Sequence, residues 1–181
     1  MDCYVDSDFL GLCGKERRDD PDNVKCRAGH VLMVNGVPIV WQSKLIPAIC
    51  LSTMMAEYYA LSMAMREVLP LRELTKTVAA GLGISDSVNT GFKVTCWEDN
   101  SACATLANLE PGQSTPRSKF YDSKVHWFRS HLSPSSADED DPNLDGIWVK
   151  QIGTDLQLAD LFTKPLTRET FQRLRKLLMG W

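Results

Sequence analysis

The clearest periodicity of apolar and polar residues lies within residues 51–71. Ser52 is a helix start signal, and a long run of helix-forming residues follows it. At about 100° per residue, one face of this predicted helix is apolar apart from a single acid. That face consists of Met54, Glu57, Ala60, Leu61, Ala64, Val68 and Leu71. The small residues among them predict that the helix packs closely against a sheet.

Glu57 is the exception on this apolar face, whereas the opposite side, with Tyr59, Ser62 and Arg66, is predicted to face solvent. An unpaired ion on a buried face costs several kcal/mol of folding free energy. A cation is therefore expected opposite Glu57. Three explanations remain open: an internal Lys or Arg, a position of Glu57 at the rim of the buried face, and a functional carboxylate.

The first strand is predicted at residues 3–9, because polar and apolar side chains alternate there. Alternation places Asp6 and Asp8 on one side and Val5 on the other. The two acids are either functional carboxylates or an acidic strand end that enters a turn. A core strand so near the first residue also predicts an excised domain, or one that continues an upstream partner.

Four more strands are predicted further along the chain. Residues 29–34 and 37–43 flank an Asn-Gly pair, which is the strongest short signal for a hairpin. Residues 92–97 and 146–152 are the remaining strand candidates. The order of elements is then β, β-hairpin, α, β, α, α, β, α, α. This order predicts an α/β fold with a mixed sheet and helices on its faces.

Two helix boundaries are predicted from local signals. The long helix is expected to kink or break at Pro70 and to end at Gly81 or Gly83. A second helix is predicted at residues 101–109. Asp99 precedes it and, taken alone, is interpreted as its N-cap, which contributes about 1 kcal/mol.

The last third of the chain combines a predicted loop with two predicted helices. Residues 133–145 are rich in Ser and Pro and then acidic, which predicts a flexible acidic loop. Asp160 is expected in the middle of a short helix that opens at Thr154 or Asp155. A C-terminal amphipathic helix is predicted over residues 167–179, capped by its first residue.

Residues 117–131 interleave cations with aromatic side chains. The cations are Arg117, Lys119, Lys124, His126 and Arg129. Such a mixture suits contact with phosphates together with base stacking. An amphipathic helix with an ordinary charged face explains the same residues, and local sequence favours that alternative.

Composition limits the classes of function. The 181 residues are predicted to form a single domain, residues 1–181, with a net charge of −3. This charge does not indicate a nucleic-acid binder, so a polyanionic partner would need a local patch or a neighbouring domain. No apolar run has the length of a membrane span, and no membrane partner is expected. The six cysteines form no CxxC pair, which predicts reduced thiols in a cytoplasmic or nuclear protein.

Acidic residues occur at four informative places: Asp6, Glu57, Asp99 and Asp160. Carboxylates that converge in one cleft repel one another unless cations neutralise them, and oxygen ligands suit Mg²⁺ or Mn²⁺. Two such ions about 4 Å apart activate a water and stabilise the leaving oxygen of a phosphodiester. The joint arrangement therefore predicts metal-dependent phosphodiester chemistry.

Six motifs in order resemble the ribonuclease H domain of copia-type (Pseudoviridae-like) LTR retrotransposon polyproteins. They are YVDSDFLG at residues 4–11, GHVLMVNGVPIVWQSK at 29–44, LSTMMAEYYAL at 51–61, DNSA at 99–102, RSKFYDSKVHWFR at 117–129 and QLADLFTKPL at 157–166. The third and the last are the most specific, and DNSA alone is weak. The resemblance covers nearly the whole chain.

This resemblance implies a ribonuclease H-like fold with a five-stranded mixed sheet whose first three strands are antiparallel. It implies endonucleolytic cleavage of the RNA strand of RNA–DNA hybrids during reverse transcription, with two Mg²⁺ or Mn²⁺ ions. The family's catalytic, metal-binding acids correspond to Asp6, Glu57, Asp99 and Asp160, with Asp8 the weaker alternative to Asp6. Asp6 is expected to serve both ions, with Asp99 and Glu57 at one and Asp160 at the other.

The resemblance also implies partners and marks departures. A reverse-transcriptase domain precedes this domain in the family, and the location is cytoplasmic, including virus-like particles, or nuclear. Lys44, Arg117, Lys119, Lys124 and Arg129 are the predicted contacts to nucleic acid. The loop at residues 153–157 lacks the His that cellular ribonucleases H usually carry before the last acid. A catalytically weak or inactive fragment, acting as a structural or nucleic-acid-binding module, is the alternative.

Overall fold

A computed structural model describes residues 1–11, 19–83, 91–116, 118, 121, 123–134, 136, 137, 141 and 144–181. Five strands form one sheet: β1 (Asp2–Asp8), β2 (Arg27–Val34), β3 (Val37–Leu45), β4 (Lys93–Glu98) and β5 (Gly146–Gln151). Their order across the sheet is β3-β2-β1-β4-β5. The pairs β1–β2 and β2–β3 are antiparallel, whereas β4 is parallel to both β1 and β5. This confirms the predicted five-stranded mixed sheet with three antiparallel strands at its start.

The hairpin between β2 and β3 forms at the predicted Asn-Gly pair. Asn35 has φ 49° and Gly36 has φ 77°. Positive φ at both central residues is what a two-residue hairpin turn requires, and it matches the twist of the flanking strands. The turn fixes the register that pairs Gly29 with Ser43.

The long helix α1 (Thr53–Gly81) packs across β1 and β2. The Ser52 hydroxyl caps it by accepting from the Met55 N–H at 3.2 Å. The predicted break at Pro70 is wrong, because the helix continues through this exposed position. The predicted end at Gly81 is confirmed. The buried residues of the helix all lie between Ala56 and Val68.

The side of α1 predicted to face solvent is also buried, apart from Arg66. Tyr59 is 6% exposed and Ser62 is 2% exposed. Two 3₁₀ turns, Ser123–Val125 and Trp127–His131, contact α1. The Trp127 indole N–H donates to the Ser62 hydroxyl at 3.0 Å. Where residues 117–131 are described, these turns replace the predicted amphipathic helix.

The opposite face of the sheet is covered by α3 (Asp160–Thr163) and α4 (Arg168–Met179). The Thr167 hydroxyl caps α4, as predicted, by accepting from the Thr170 N–H at 3.3 Å. A second, smaller core lies here around Val31 and Leu174. The predicted short helix around Asp160 is wrong in its limits, because a separate 3₁₀ turn, Thr154–Leu156, precedes α3.

The predicted flexible loop at residues 133–145 lies partly outside the described residues. At its described end, Asp145 is tied to α1. Its carboxylate accepts from Arg72 at 2.6 Å and from Lys76 at 2.7 Å. These two cations hold the pKa of Asp145 below its usual value, although burial opposes the shift. In the part of the chain that the structure describes, no helix combines the length and apolarity needed to cross a bilayer.

Candidate active site

Asp6 lies near the end of the central strand β1 and is completely buried. Its carboxylate accepts from the Lys164 ammonium at 2.8 Å and from the Thr163 hydroxyl. Burial raises the pKa of Asp6 to about 7, even though Lys164 acts in the opposite direction. Asp8, the weaker alternative, lies two residues further along β1 and outside the carboxylate groups described below. The structure therefore favours Asp6 over Asp8.

Asp160 lies close to Asp6 and belongs to α3, on the face of the sheet opposite α1. It is the first residue of α3, and its carboxylate accepts from Lys164 at 2.8 Å. The helix can lie this close because Gly29, paired with Asp6, has no side chain. A Cβ at Gly29 would meet the Thr163 methyl at 2.7 Å. The sequence thus brings Asp160 over the end of β1.

Asp99 follows the last residue of β4. The interpretation of Asp99 as an N-cap is wrong, because Asn100 caps the following helix, α2 (Ser101–Ala107), by accepting from the Cys103 N–H at 3.0 Å. Asp99 is therefore free of the cap and is instead contacted by the Thr154 hydroxyl, which donates to it at 2.9 Å. Thr154 belongs to the loop at residues 153–157, which contains no His.

The register of the sheet explains why Asp6 and Asp99 meet. The last paired residues of the parallel strands β1 and β4 are Tyr4 and Trp97. Each acid follows two residues later, so both extend from the same end of the two central strands. The buried Gln157 amide joins these strand ends by donating to the Val5 carbonyl at 2.8 Å.

Glu57 approaches from α1 on the face of the sheet opposite α3. It is 3% exposed, and its Oε2 has no hydrogen-bond partner in the part of the chain that the structure describes. Burial and then the charge of Glu98 raise the pKa of Glu57 to about 10. Lys164 acts on Glu57 through its charge, but its hydrogen bonds go to Asp6 and Asp160. The rim position is thereby excluded, and within the described part of the chain no ion pair joins Glu57 to a cation.

The carboxylates form two groups that share Asp99. One oxygen from each of Asp6, Asp99 and Asp160 lies within 4.8 Å of the others, and the same holds for Glu57, Glu98 and Asp99. All four predicted acids are therefore brought together. Asp99 is the residue that belongs to both groups. The sequence analysis instead expected Asp6 to be the residue that serves both ions. A cleft of about 430 Å³ opens over Glu57, Asp99 and Lys164.

These residues fit a divalent cation. The donors are carboxylate oxygens, which Mg²⁺ and Mn²⁺ prefer. Two of the oxygens, Oε2 of Glu57 and Oε2 of Glu98, are buried without a partner. An unsatisfied buried acceptor costs about 1–3 kcal/mol, more when it is charged, and an ion between them would remove this cost. The chemistry of the site thus suits the metal that the sequence predicts.

Sequence reasoning missed Glu98 and Lys164 as members of the site. Glu98 is completely buried because β4 alternates, which places it on the same face as Val94 and Cys96. The alternation of β4 can be recognised in the sequence, and an acid at one of its inward positions would have indicated that Glu98 belongs to the site. Lys164 lies one helical turn after Asp160, which is the spacing of a helical ion pair. Its contact with Asp6 depends on tertiary structure and had no local signal.

The predicted contacts to nucleic acid are in different environments. Lys44 is exposed on β3, in the same cross-strand row as Ser7, roughly 10 Å from it. Lys124 is exposed on the 3₁₀ turn over α1. Arg117 and Lys119 lie outside the described residues.

Arg129 does not fit the predicted role as a phosphate contact. It is 5% exposed, and its guanidinium donates to the backbone carbonyls of Leu109, Glu110 and Gln113. Arg129 therefore holds the segment after α2 in place from inside the protein.

A five-stranded sheet in this order, with acids converging at the ends of its two central strands, defines a ribonuclease H-like fold. Comparison with solved structures supports this. The N-terminal ribonuclease H domain of a Mycobacterium tuberculosis protein matches with a TM-score of 0.51 and 11% identity, covering 97% of this chain and 95% of that one. LC11 ribonuclease H1, solved in complex with an RNA/DNA hybrid, matches with a TM-score of 0.50 and 13% identity, covering 89% and 91%.

Comparison of sequences confirms the resemblance to retrotransposon polyproteins. The chain is 29% identical over 174 residues to the retrovirus-related Pol polyprotein from the transposon TNT 1-94 of Nicotiana tabacum. The match covers 96% of this chain but only 11% of that polyprotein. The chain thus corresponds to about a tenth of the length of this relative. No protein-family model matches the chain.

Proposed function

We propose that this chain is a divalent-metal-dependent endonuclease that cleaves the RNA strand of RNA–DNA hybrids during reverse transcription of a retrotransposon. The observation that carries the proposal is the convergence of Asp6, Glu57, Asp99 and Asp160 at one end of a ribonuclease H-like sheet. The retrotransposon relative and the hybrid bound by LC11 ribonuclease H1 support the substrate and the setting.

The side chains of the site hold and orient the proposed ligands. Thr163 and Lys164 fix the two oxygens of Asp6, and Thr154 fixes one oxygen of Asp99. Gln157 keeps the ends of β1 and β4 together, so that Asp6 and Asp99 stay close. When bound, divalent cations at these carboxylates supply Lewis-acid stabilisation of the phosphodiester and lower the pKa of a water.

The hybrid is proposed to bind across the cleft through its backbone and its shape, with little sequence preference. Lys44 and Lys124 are exposed and remain the proposed phosphate contacts, with Arg117 and Lys119 from the predicted set. The net charge of −3 is unfavourable for a polyanion. A reverse-transcriptase domain of the same polyprotein is therefore the proposed partner that supplies most of the affinity. The five described cysteines are free and buried, which fits a cytoplasmic or nuclear location.

The test presents an RNA–DNA hybrid, duplex DNA and single-stranded RNA in parallel with Mg²⁺. We expect cleavage confined to the RNA strand of the hybrid. Asp99→Asn should lower the rate roughly 10²–10³-fold, because the residue contributes to both carboxylate groups. Asp155→Asn is the matched control, since this exposed acid lies one residue from Thr154 and outside both groups.

Two results would contradict the proposal. Cleavage of duplex DNA would indicate a different nuclease with the same fold. Binding of the hybrid without cleavage, by wild type and Asp99→Asn alike, would support a nucleic-acid-binding module in place of an enzyme.

A further inference from the structure

Glu98 is an acidic residue on the buried side of β4, where the other side chains are apolar. It is the last residue of β4, whose inward side chains Val94 and Cys96 are completely buried under α1. Glu98 is itself 0% exposed. A buried carboxylate normally needs a partner that offsets its loss of hydration. The surroundings of Glu98 therefore require explanation.

One oxygen of Glu98 is fixed by the protein and the other is not. Oε1 accepts from the Asn100 N–H at 3.0 Å, which holds the side chain in place. Oε2 is buried and has no hydrogen-bond partner among the described residues, and the same is true of Oε2 of Glu57. The buried Cys103 thiol also lies beside the Glu98 carboxyl, but it is neutral and supplies no charge to balance it. Two buried acceptors without donors lie in one group with Asp99, whose oxygens approach within 4.8 Å.

The internal cation of the site does not resolve this arrangement. The two hydrogen bonds of the Lys164 ammonium go to Asp6 and Asp160, which belong to the other group. As ionised carboxylates, Glu57, Glu98 and Asp99 would repel one another without a cation among them. A hard cation, which prefers oxygen ligands, would bind the carboxylates of all three residues and balance their charge.

We propose that Glu98 is a ligand of a divalent cation, Mg²⁺ or Mn²⁺, which it holds together with Glu57 and Asp99. This inference rests on the proposed function, and it adds a fifth acid to the four that the sequence predicts. Asp99 then belongs to both carboxylate groups, with Asp6 and Asp160 in one and Glu57 and Glu98 in the other. The Asn100 N–H pre-orients Glu98 so that its second oxygen is available to the ion.

The test measures Mn²⁺ binding by isothermal titration calorimetry in the absence of nucleic acid. We expect Glu98→Gln to weaken one binding event at least tenfold, because an amide oxygen replaces a charged ligand. Glu73→Gln is the matched control, because Glu73 is exposed on α1 and should leave binding unchanged.

A second measurement uses wild-type protein and does not depend on the folding of a variant. Glutamate side chains carry a carbon-13 label at the carboxyl, and Mn²⁺ is added below one equivalent. The resonances of Glu57 and Glu98 should broaden by paramagnetic relaxation. The resonance of Glu73 should stay sharp, because it lies about 24 Å further along the same helix.

The inference would be overturned if Glu98→Gln bound Mn²⁺ with wild-type affinity, or if the Glu98 resonance stayed sharp. Glu98 would then be a buried carboxyl that takes no part in holding the ion. These measurements use no substrate, so they are distinct from a failure of hybrid cleavage. A protein that binds Mn²⁺ through Glu98 but cleaves no hybrid would contradict the proposed function and leave this inference intact.

Discussion

At the scale of single residues, Lys164 balances the charge of the site when no metal is bound. Its ammonium lies 2.8 Å from carboxylate oxygens of both Asp6 and Asp160. Burial opposes the charge of Lys164, but the Asp6 and Asp160 carboxylates outweigh it and raise the pKa of the lysine. The Lys164 ammonium thus lies beside carboxylates that the sequence predicts as ligands of a metal ion.

Lys164→Met should therefore destabilise the metal-free protein. We expect a loss of about 2–3 kcal/mol in the free energy of unfolding, because the variant leaves Asp6 buried without its cation. The loss is limited because the Asp6 carboxyl, with a pKa of about 7, takes up a proton readily. Urea unfolding in the presence of a chelator measures it, and added Mg²⁺ should restore part of the stability.

Lys176→Met is the control for this experiment, since Lys176 is exposed on α4. It should change the stability by less than about 0.5 kcal/mol. Equal stability of Lys164→Met and wild type would show that the two ion pairs do not contribute to the fold.

At the scale of elements, α1 supports the site although its sequence contains a helix breaker. Pro70 lies inside the helix and is exposed. Proline lacks the N–H that would bond to the carbonyl one turn earlier, and it costs about 3 kcal/mol relative to alanine in a helix interior. The tertiary contacts of α1 with the sheet must outweigh this cost.

We expect Pro70→Ala to raise the free energy of unfolding by about 1–3 kcal/mol, because it restores a backbone hydrogen bond and removes no buried contact. Thermal and urea unfolding measure the gain, and hybrid cleavage should be unchanged, since Pro70 lies more than three turns from Glu57. A less stable Pro70→Ala variant would indicate that the fold needs a distortion of α1 at this point.

A second connection between elements joins β2, β3 and α1. The buried His30 ring on β2 lies 3.3 Å from the Glu67 carboxylate, which also accepts from the Gln42 amide of β3 at 3.0 Å. Burial lowers the pKa of His30 below its ordinary value of 6.5, and Glu67 only partly offsets this. The folded protein therefore favours the neutral imidazole.

This shift predicts a pH dependence of stability. Between the lowered pKa of folded His30 and 6.5, the unfolded state binds more protons, so the contribution of His30 is full above pH 6.5 and is lost as the pH falls. His30→Gln should abolish this part of the slope of unfolding free energy against pH between 5 and 7. The exposed His131→Gln should keep the wild-type slope, and equal slopes in all three proteins would contradict the prediction.

The strands and the hairpin were predictable from the sequence because their signals are local, whereas the number of strands and the antiparallel start of the sheet were implied by the family resemblance. The Asn-Gly turn indicated the hairpin, and alternation indicated β1. The far side of α1 was predicted wrongly, because a residue distant in the chain, Trp127, contacts Ser62 there. The same limit applies to the site: each acid was visible as a residue, but the contact of Lys164 with Asp6 spans more than 150 residues.

At the scale of the whole molecule, the site exists only in the folded chain. Its acids come from β1, α1, the end of β4 and α3, and they approach from both faces of the sheet. Any cation that they share must bind the folded state in preference to the unfolded one, and so must stabilise it. The central claim is thus that carboxylates far apart in sequence form one pocket for divalent cations.

The most direct test is a crystal structure of the protein soaked in Mn²⁺, with the ions located by anomalous scattering. Our account predicts Mn²⁺ within about 2.5 Å of carboxylate oxygens of Asp99 and of at least one further acid of the site. Displacement of the Lys164 ammonium from Asp6 would accompany occupation of the Asp6–Asp160 side. Mn²⁺ bound only at other surfaces, with these carboxylates unchanged, would contradict the account.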